Sequence, residues 1–130
     1  MEQLTVRTSQ RTEFVDITSQ IRDYLRDKKI DSGRLTIFVP HTTAAVTINE
    51  NADPTVQRDI LYEINKVIPF DDGYHHAEGN AAAHIKASLF GSSETILIHR
   101  GEPALGTWQG IYFCEFDGPR QRKIWVHISR

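Results

Sequence analysis

The sequence predicts an α+β domain: one mixed or antiparallel β-sheet fold carrying about three helices. Three observations predict it. Period-two alternation opens the chain and returns at its end; helix signals interrupt it only three times; no internal repeat or linker divides the 130 residues. Three helices are too few to alternate through a parallel sheet, and this length suits a single domain, 1–130, with one sizeable core.

Leu4, Val6 and Thr8 alternate with polar neighbours, and Phe14, Val15 and Ile17 follow, which predicts two short strands. Thr18 to Lys29 reads as a helix with Ile17, Ile21, Tyr24 and Leu25 on one face. Lys28 and Lys29 stand near its C-terminal end, where cations are favourable. Asp31-Ser32-Gly33 is a turn. The run RLTIFVPHTTAAVTINE reads as two strands, or one long strand broken near Pro40, because proline cannot donate to a sheet ladder. Asn51-Ala52-Asp53-Pro54 is the clearest helix start, with Asp53 suited to the N-cap and Pro54 to the first helical position. Val56, Ile60, Leu61, Ile64 and Val67 then form an apolar stripe that ends before Pro69. A shorter helix is expected from about Asn80 to Phe90, stopped by Gly91, with Ala81, Ile85 and Leu89 on its apolar stripe and His84 at the edge. ETILIH, GTWQGIYFCEF and RKIWVHIS supply the closing strands.

Composition narrows the function. With 39% hydrophobic and 25% charged residues and a net charge of −2, the chain lacks the basic balance of a nucleic-acid binder. No run is long enough to cross a bilayer, and the polar start MEQLTVRTSQR contains no apolar leader core. The expectation is a cytoplasmic protein with neither a membrane nor a nucleic-acid partner. The lone cysteine, Cys114, lies inside IYFCEF and is expected to be buried as a small hydrophobe.

The unusual chemistry sits in three segments. YHHAEGNAAAH, residues 74–84, concentrates imidazoles: His75 and His76 precede the third helix and His84 lies on it, so a loop histidine can fold back to start a transition-metal site. The competing reading has His84 bonded to a backbone carbonyl and the loop histidines in water. Gly79-Asn80 precedes the helix start, whose amides suit a phosphate, although Asn80 is equally explained as a plain N-cap. In HTTAAVTINEN, an extended chain puts His41, Thr43, Thr47, Asn49 and Asn51 on one face and Ala44, Val46, Ile48 and Glu50 on the other. In GTWQGIYFCEFDGPR, Trp108 and Gln109 offer an indole beside an amide. Glu115 alternates with Ile111 and Phe113, so its carboxylate is expected to be buried and paired with Arg120, a histidine or a metal, or to form a structural ion pair. No GxSxG elbow, P-loop or GxGxxG is present.

HTTAAVTINENADP, YHHAEGNAAAHIKASLFG and SETILIHRGEPALGTWQGIYFCEFDGPR, in that order and spacing, resemble the YjbQ family over essentially the whole chain. The resemblance implies a secondary thiamine-phosphate synthase, a transferase that joins the hydroxymethylpyrimidine diphosphate to the thiazole phosphate and releases pyrophosphate. It implies a homotrimer with a divalent metal ion, zinc or similar, on His41, His76 and His84, and with His41, His84 and Glu115 as catalytic residues. Asn49, Glu50, Gly79, Asn80, Trp108, Gln109 and Arg120 are the residues expected to bind the small phosphorylated substrate. The alternative is a metal-binding homotrimer with a different metal-assisted, hydrolase-type activity or a small-ligand-binding role.

Overall fold

The computed structural model describes residues 1–130. Eleven elements follow in order: β1 Glu2–Arg7, β2 Glu13–Asp16, α1 Thr18–Lys28, β3 Gly33–Phe38, β4 Ala44–Glu50, α2 Pro54–Val67, α3 Ala81–Phe90, β5 Ser93–His99, β6 Glu102–Pro103, β7 Gln109–Glu115 and β8 Gln121–Ser129. The expected α+β class holds, and every strand pair is antiparallel.

The strands form two sheets, one of five strands in the order β1-β8-β3-β5-β6 and one of three in the order β2-β7-β4. Alternation decides what lies between them. On β8, Arg122, Ile124 and Val126 are buried while Lys123 and His127 are exposed; on β7, Ile111 and Phe113 turn into the same core. Ile17, Ile21 and Leu25 of the α1 region join that core, as the sequence pattern expects. Asp53 caps α2 by accepting the Thr55 N–H at 2.9 Å, and Lys29 ends α1 in the left-handed region at φ 55°. The short strand β6 has no sequence signal of its own. It is created by the two-residue turn Arg100-Gly101, both at positive φ, which folds Glu102 back onto His99.

Helix α3 differs from its sequence pattern. Ile85 and Leu89, expected inside, are exposed, whereas Ala82, Ala83, Lys86 and Ala87 are buried. A second, smaller core explains the rotation: Ala83 and Ala87 pack with Ala45, Cys114 and Phe116 on the outer face of the three-stranded sheet. Ala45 and Cys114 have no exposed surface, and only small side chains let the helix axis approach so closely. The start of β4, Ala44 to Val46, is therefore covered on both sides, and Thr43 just before it is buried rather than lining an open polar face. Burial also pushes the Cys114 thiol up, which suits a packed rather than reactive sulfur.

Helix α2 buries none of its residues completely, and Tyr62 and Val67 stay 68% and 64% exposed. Its stripe is only half used within one chain.

Candidate functional site

Proline sets up the first histidine. Pro40 ends the run of β3, so the next amide along the β8 edge, Lys123 N–H, lacks a strand partner there. The ring of His41 takes that place, its Nε2 accepting the N–H at 3.0 Å. A neutral imidazole accepting at Nε2 carries its proton on Nδ1, so His41 presents a donor. Burial and then the Arg122 guanidinium hold the His41 pKa below its ordinary 6.5, outweighing the nearby Glu115 carboxylate, which keeps the ring neutral at pH 7.

His84 projects from α3 into the same space. With Thr42, Ala44, Ala87, Ser88, Gly91 and Ser92, the two histidines line a cavity of about 360 Å³, within the size range of small-ligand sites. Ser88 donates to the His84 carbonyl at 2.9 Å, so that carbonyl is partnered from within the helix. His76 folds back from the loop, its ring edge-on to His84 with centroids 5.3 Å apart and its Nε2 3.8 Å from Glu78 Oε2.

The expected three-histidine metal set is not assembled. No group of three or more His, Cys, Asp or Glu side chains gathers at metal-holding distance, and the His41 Nε2 lone pair is used by Lys123 N–H. Of the three, only His76 and His84 approach one another as a ring pair, one from a loop and one from the helix it enters; imidazoles are the donor type that a divalent transition metal takes. His75 stands apart from this pair, exposed.

Glu115 is buried as its alternation predicts, but its partner is Arg122 rather than Arg120. Arg122 Nε donates to Oε1 at 2.8 Å and its terminal nitrogen to Oε2; Thr8 Oγ1 donates to Oε1 at 2.8 Å and Asp117 N–H to Oε2 at 3.0 Å. Burial pushes the carboxyl up, but these donors outweigh it and hold Glu115 below its ordinary range. With both oxygens filled and no exposed surface, Glu115 does not reach the cavity as a catalytic base. Gly118 leaves room for this pair: a Cβ there would stand 2.8 Å from Glu115 Cγ and against the Gln10 carbonyl. Gly118→Ala is expected to cost about 1–3 kcal/mol, measured by denaturant unfolding; an unchanged midpoint would contradict this packing.

The remaining expected residues divide. Arg120 turns to Asp117, donating to its carbonyl at 3.0 Å and to Oδ2 at 3.1 Å. Asn80 sits at the N-cap position of α3 without capping it; its Nδ2 donates to Asp117 Oδ2 at 2.9 Å, while Oδ1 is buried without a partner. Gly79, at φ 79°, lines a separate cavity of about 200 Å³ with Phe70, Tyr74 and His76. Asn49, Glu50, Trp108 and Gln109 lie at the far end of β4, where Gln109 pairs with Glu50, whereas Ala44 beside the histidine cavity pairs with Glu115. At about 3.3 Å per residue the two ends are roughly 20 Å apart, so one chain does not bring this group to the histidines. Asp117 and the backbone amide of Lys123 were missed. Only long-range pairing brings them in, and no local pattern marks them.

The description UPF0047 protein YjbQ-like matches residues 2–130. A UPF0047 protein of Methanocaldococcus jannaschii is 52% identical over 123 residues, 95% of this chain and 89% of the relative, and the UPF0047 protein YugU of Bacillus subtilis is 46% identical over 98% of both chains. Among solved structures, an uncharacterised YjbQ/UPF0047 protein from Clostridium acetobutylicum superposes with TM-score 0.96 at 51% identity, covering 99% of this chain and 100% of that one. A conserved hypothetical protein from Thermus thermophilus gives 0.93 at 38% identity, with 99% and 100% covered. None of these relatives is described as acting in thiamine synthesis, which overturns the thiamine-phosphate synthase expectation; it is not retained. From end to end, in sequence and in fold, the chain belongs to the YjbQ-like UPF0047 family.

Proposed function

We propose that the protein is an enzyme acting on a small phosphate-bearing molecule held in the cavity between His41 and His84, with a divalent transition-metal ion on His76 and His84. One observation carries this reading: two histidines from different elements face one cavity, one locked as a neutral donor and the other with both ring nitrogens free of protein hydrogen bonds. His41 would donate Nδ1–H to a ligand oxygen, and the hydroxyls of Thr42 and Ser92 add further polar contacts along the wall. The C-terminal end of α3 at Gly91 contributes negative potential to that wall. His76 and His84 would hold the metal, which would supply the compensating positive charge beside the phosphate. Ala44, Ala87 and Gly91 add only small side chains to the lining.

Titration with inorganic phosphate and a simple phosphate monoester, in the presence of zinc, tests the reading through the histidine ring signals in NMR. Saturable shifts of His41 and His84 are expected. Unchanged His41 and His84 signals at saturating phosphate would contradict it.

A homotrimer is the assembly we propose. Support comes from apolar surface left over in one chain, including Leu89 and Leu97 at 66% and 62% exposure and the half-buried stripe of α2. A cytoplasmic setting suits a chain whose single cysteine is a free, buried thiol, and no helix is long and apolar enough to cross a membrane. Sedimentation of the full chain should give three times the monomer mass; a monomer at micromolar concentration would remove the proposal.

A further inference from the structure

We propose that Glu115 and Arg122 are positioning residues: together they hold the loop and the strand edge on either side of the His41 ring, and so keep His41 a donor toward the cavity. The inference deepens the reading of His41 given above and rests on it.

Two backbone points fix this histidine. One is Lys123 N–H, the donor to its Nε2. The other is Thr43, two residues along the loop, whose Oγ1 accepts from the Arg122 terminal nitrogen at 2.9 Å and whose carbonyl accepts from the same nitrogen at 3.4 Å and from Phe116 N–H at 3.2 Å. Arg122 immediately precedes Lys123 on β8. One guanidinium therefore ties the His41 loop to the strand position that supplies the bond to the ring. Glu115 fixes that guanidinium through two parallel bonds, and Thr8 and Asp117 N–H fix Glu115 in turn.

The pair itself touches no ligand space, because Glu115 is 0% and Arg122 2% exposed. A buried ion pair is weak as a source of net stability, and an apolar replacement of similar shape often serves as well. What an apolar pair cannot do is bond Thr43 on both oxygens. The geometry thus gives Arg122 a task that a lysine does not perform either, since an ammonium lacks the planar fork that spans Glu115 and Thr43 together.

The test is the tautomer of His41, read from the ring nitrogen shifts of ¹⁵N-histidine-labelled full-length protein. Wild type is expected to show a single neutral form with the proton on Nδ1. Arg122→Lys, and the double variant Glu115→Gln/Arg122→Met in case the single one unfolds, are expected to show a mixture in which the Nε2–H form gains. A wild-type Nδ1–H signal that persists unchanged in both folded variants overturns this inference and leaves the proposed function standing. A wild-type ring protonated on Nε2 overturns the reading of His41 and the inference with it.

Discussion

Arg122→Met is expected to destabilise the protein by about 3–5 kcal/mol, because it leaves the Glu115 carboxylate buried without a cation. The pH dependence should change sign as well. In wild type the folded Glu115 titrates below its ordinary 4.5, so its contribution is present above that pH and is lost as pH falls through the folded value. In the variant the carboxylate has burial and no guanidinium, its folded pKa rises above the unfolded one, and acidification recovers stability. Adding Glu115→Gln should return much of the loss, since a neutral amide needs no counter-charge. Denaturant unfolding at pH 4, 5.5 and 7 checks all three statements. A loss below about 1 kcal/mol at pH 7 would mean that the pair behaves as a surface bridge.

Lys86 carries the second large effect. Its side chain has no exposed surface, its Nζ donates to Asn65 Oδ1 at 2.6 Å and lies 4.4 Å from the Phe70 ring centre, and no carboxylate accompanies it. Burial, helped by the charge of Arg11, brings its pKa from 10.5 down to about 8. The folded state is penalised fully below about pH 8, and the penalty is relieved as pH rises towards 10.5. That window corresponds to about 3 kcal/mol. Wild type is therefore expected to gain stability relative to Lys86→Met between pH 7 and pH 9.5, while at pH 7 the variant is the more stable of the two by about 1 kcal/mol, the orphaned Asn65 oxygen offsetting part of the gain. Equal pH dependence of the two proteins would show that Lys86 keeps a solvated ammonium.

Local signals were legible in the sequence wherever a short-range rule governs them. Asp53-Pro54 marks the start of α2, Gly91 the end of α3, and the alternation in β7 and β8 identifies what faces the core. That a loop histidine could return to His84 was legible too, since a loop entering a helix keeps its residues near the first turns, but spacing did not decide between His75 and His76; it is His76 that returns. Pairings set by sheet register were not. Arg120 and Arg122 are equally plausible partners for Glu115 on spacing alone. Only the antiparallel pairing of β8 with β1 and β3, with Arg122 on the inner face, puts Arg122 at the mouth of the core. The orientation of α3 was hidden for another reason. Its alanines fit close packing against Ala45, while Ile85 and Leu89 look like the core face by hydropathy but serve the outside. The far-end position of Asn49, Glu50, Trp108 and Gln109 follows from strand direction, which composition does not reveal.

In the proposed function the histidines divide: His76 and His84 would hold the metal, and His41 would donate to the ligand. Metal content after zinc loading of wild type and of His41→Ala, His76→Ala and His84→Ala, with oligomeric state checked in each, tests that division most directly. The predicted result is stoichiometric zinc in wild type and in His41→Ala, and its loss in the other two. Loss of zinc from all three with assembly intact would make His41 a ligand, and absence of zinc from wild type would remove the metal altogether; either result contradicts the account.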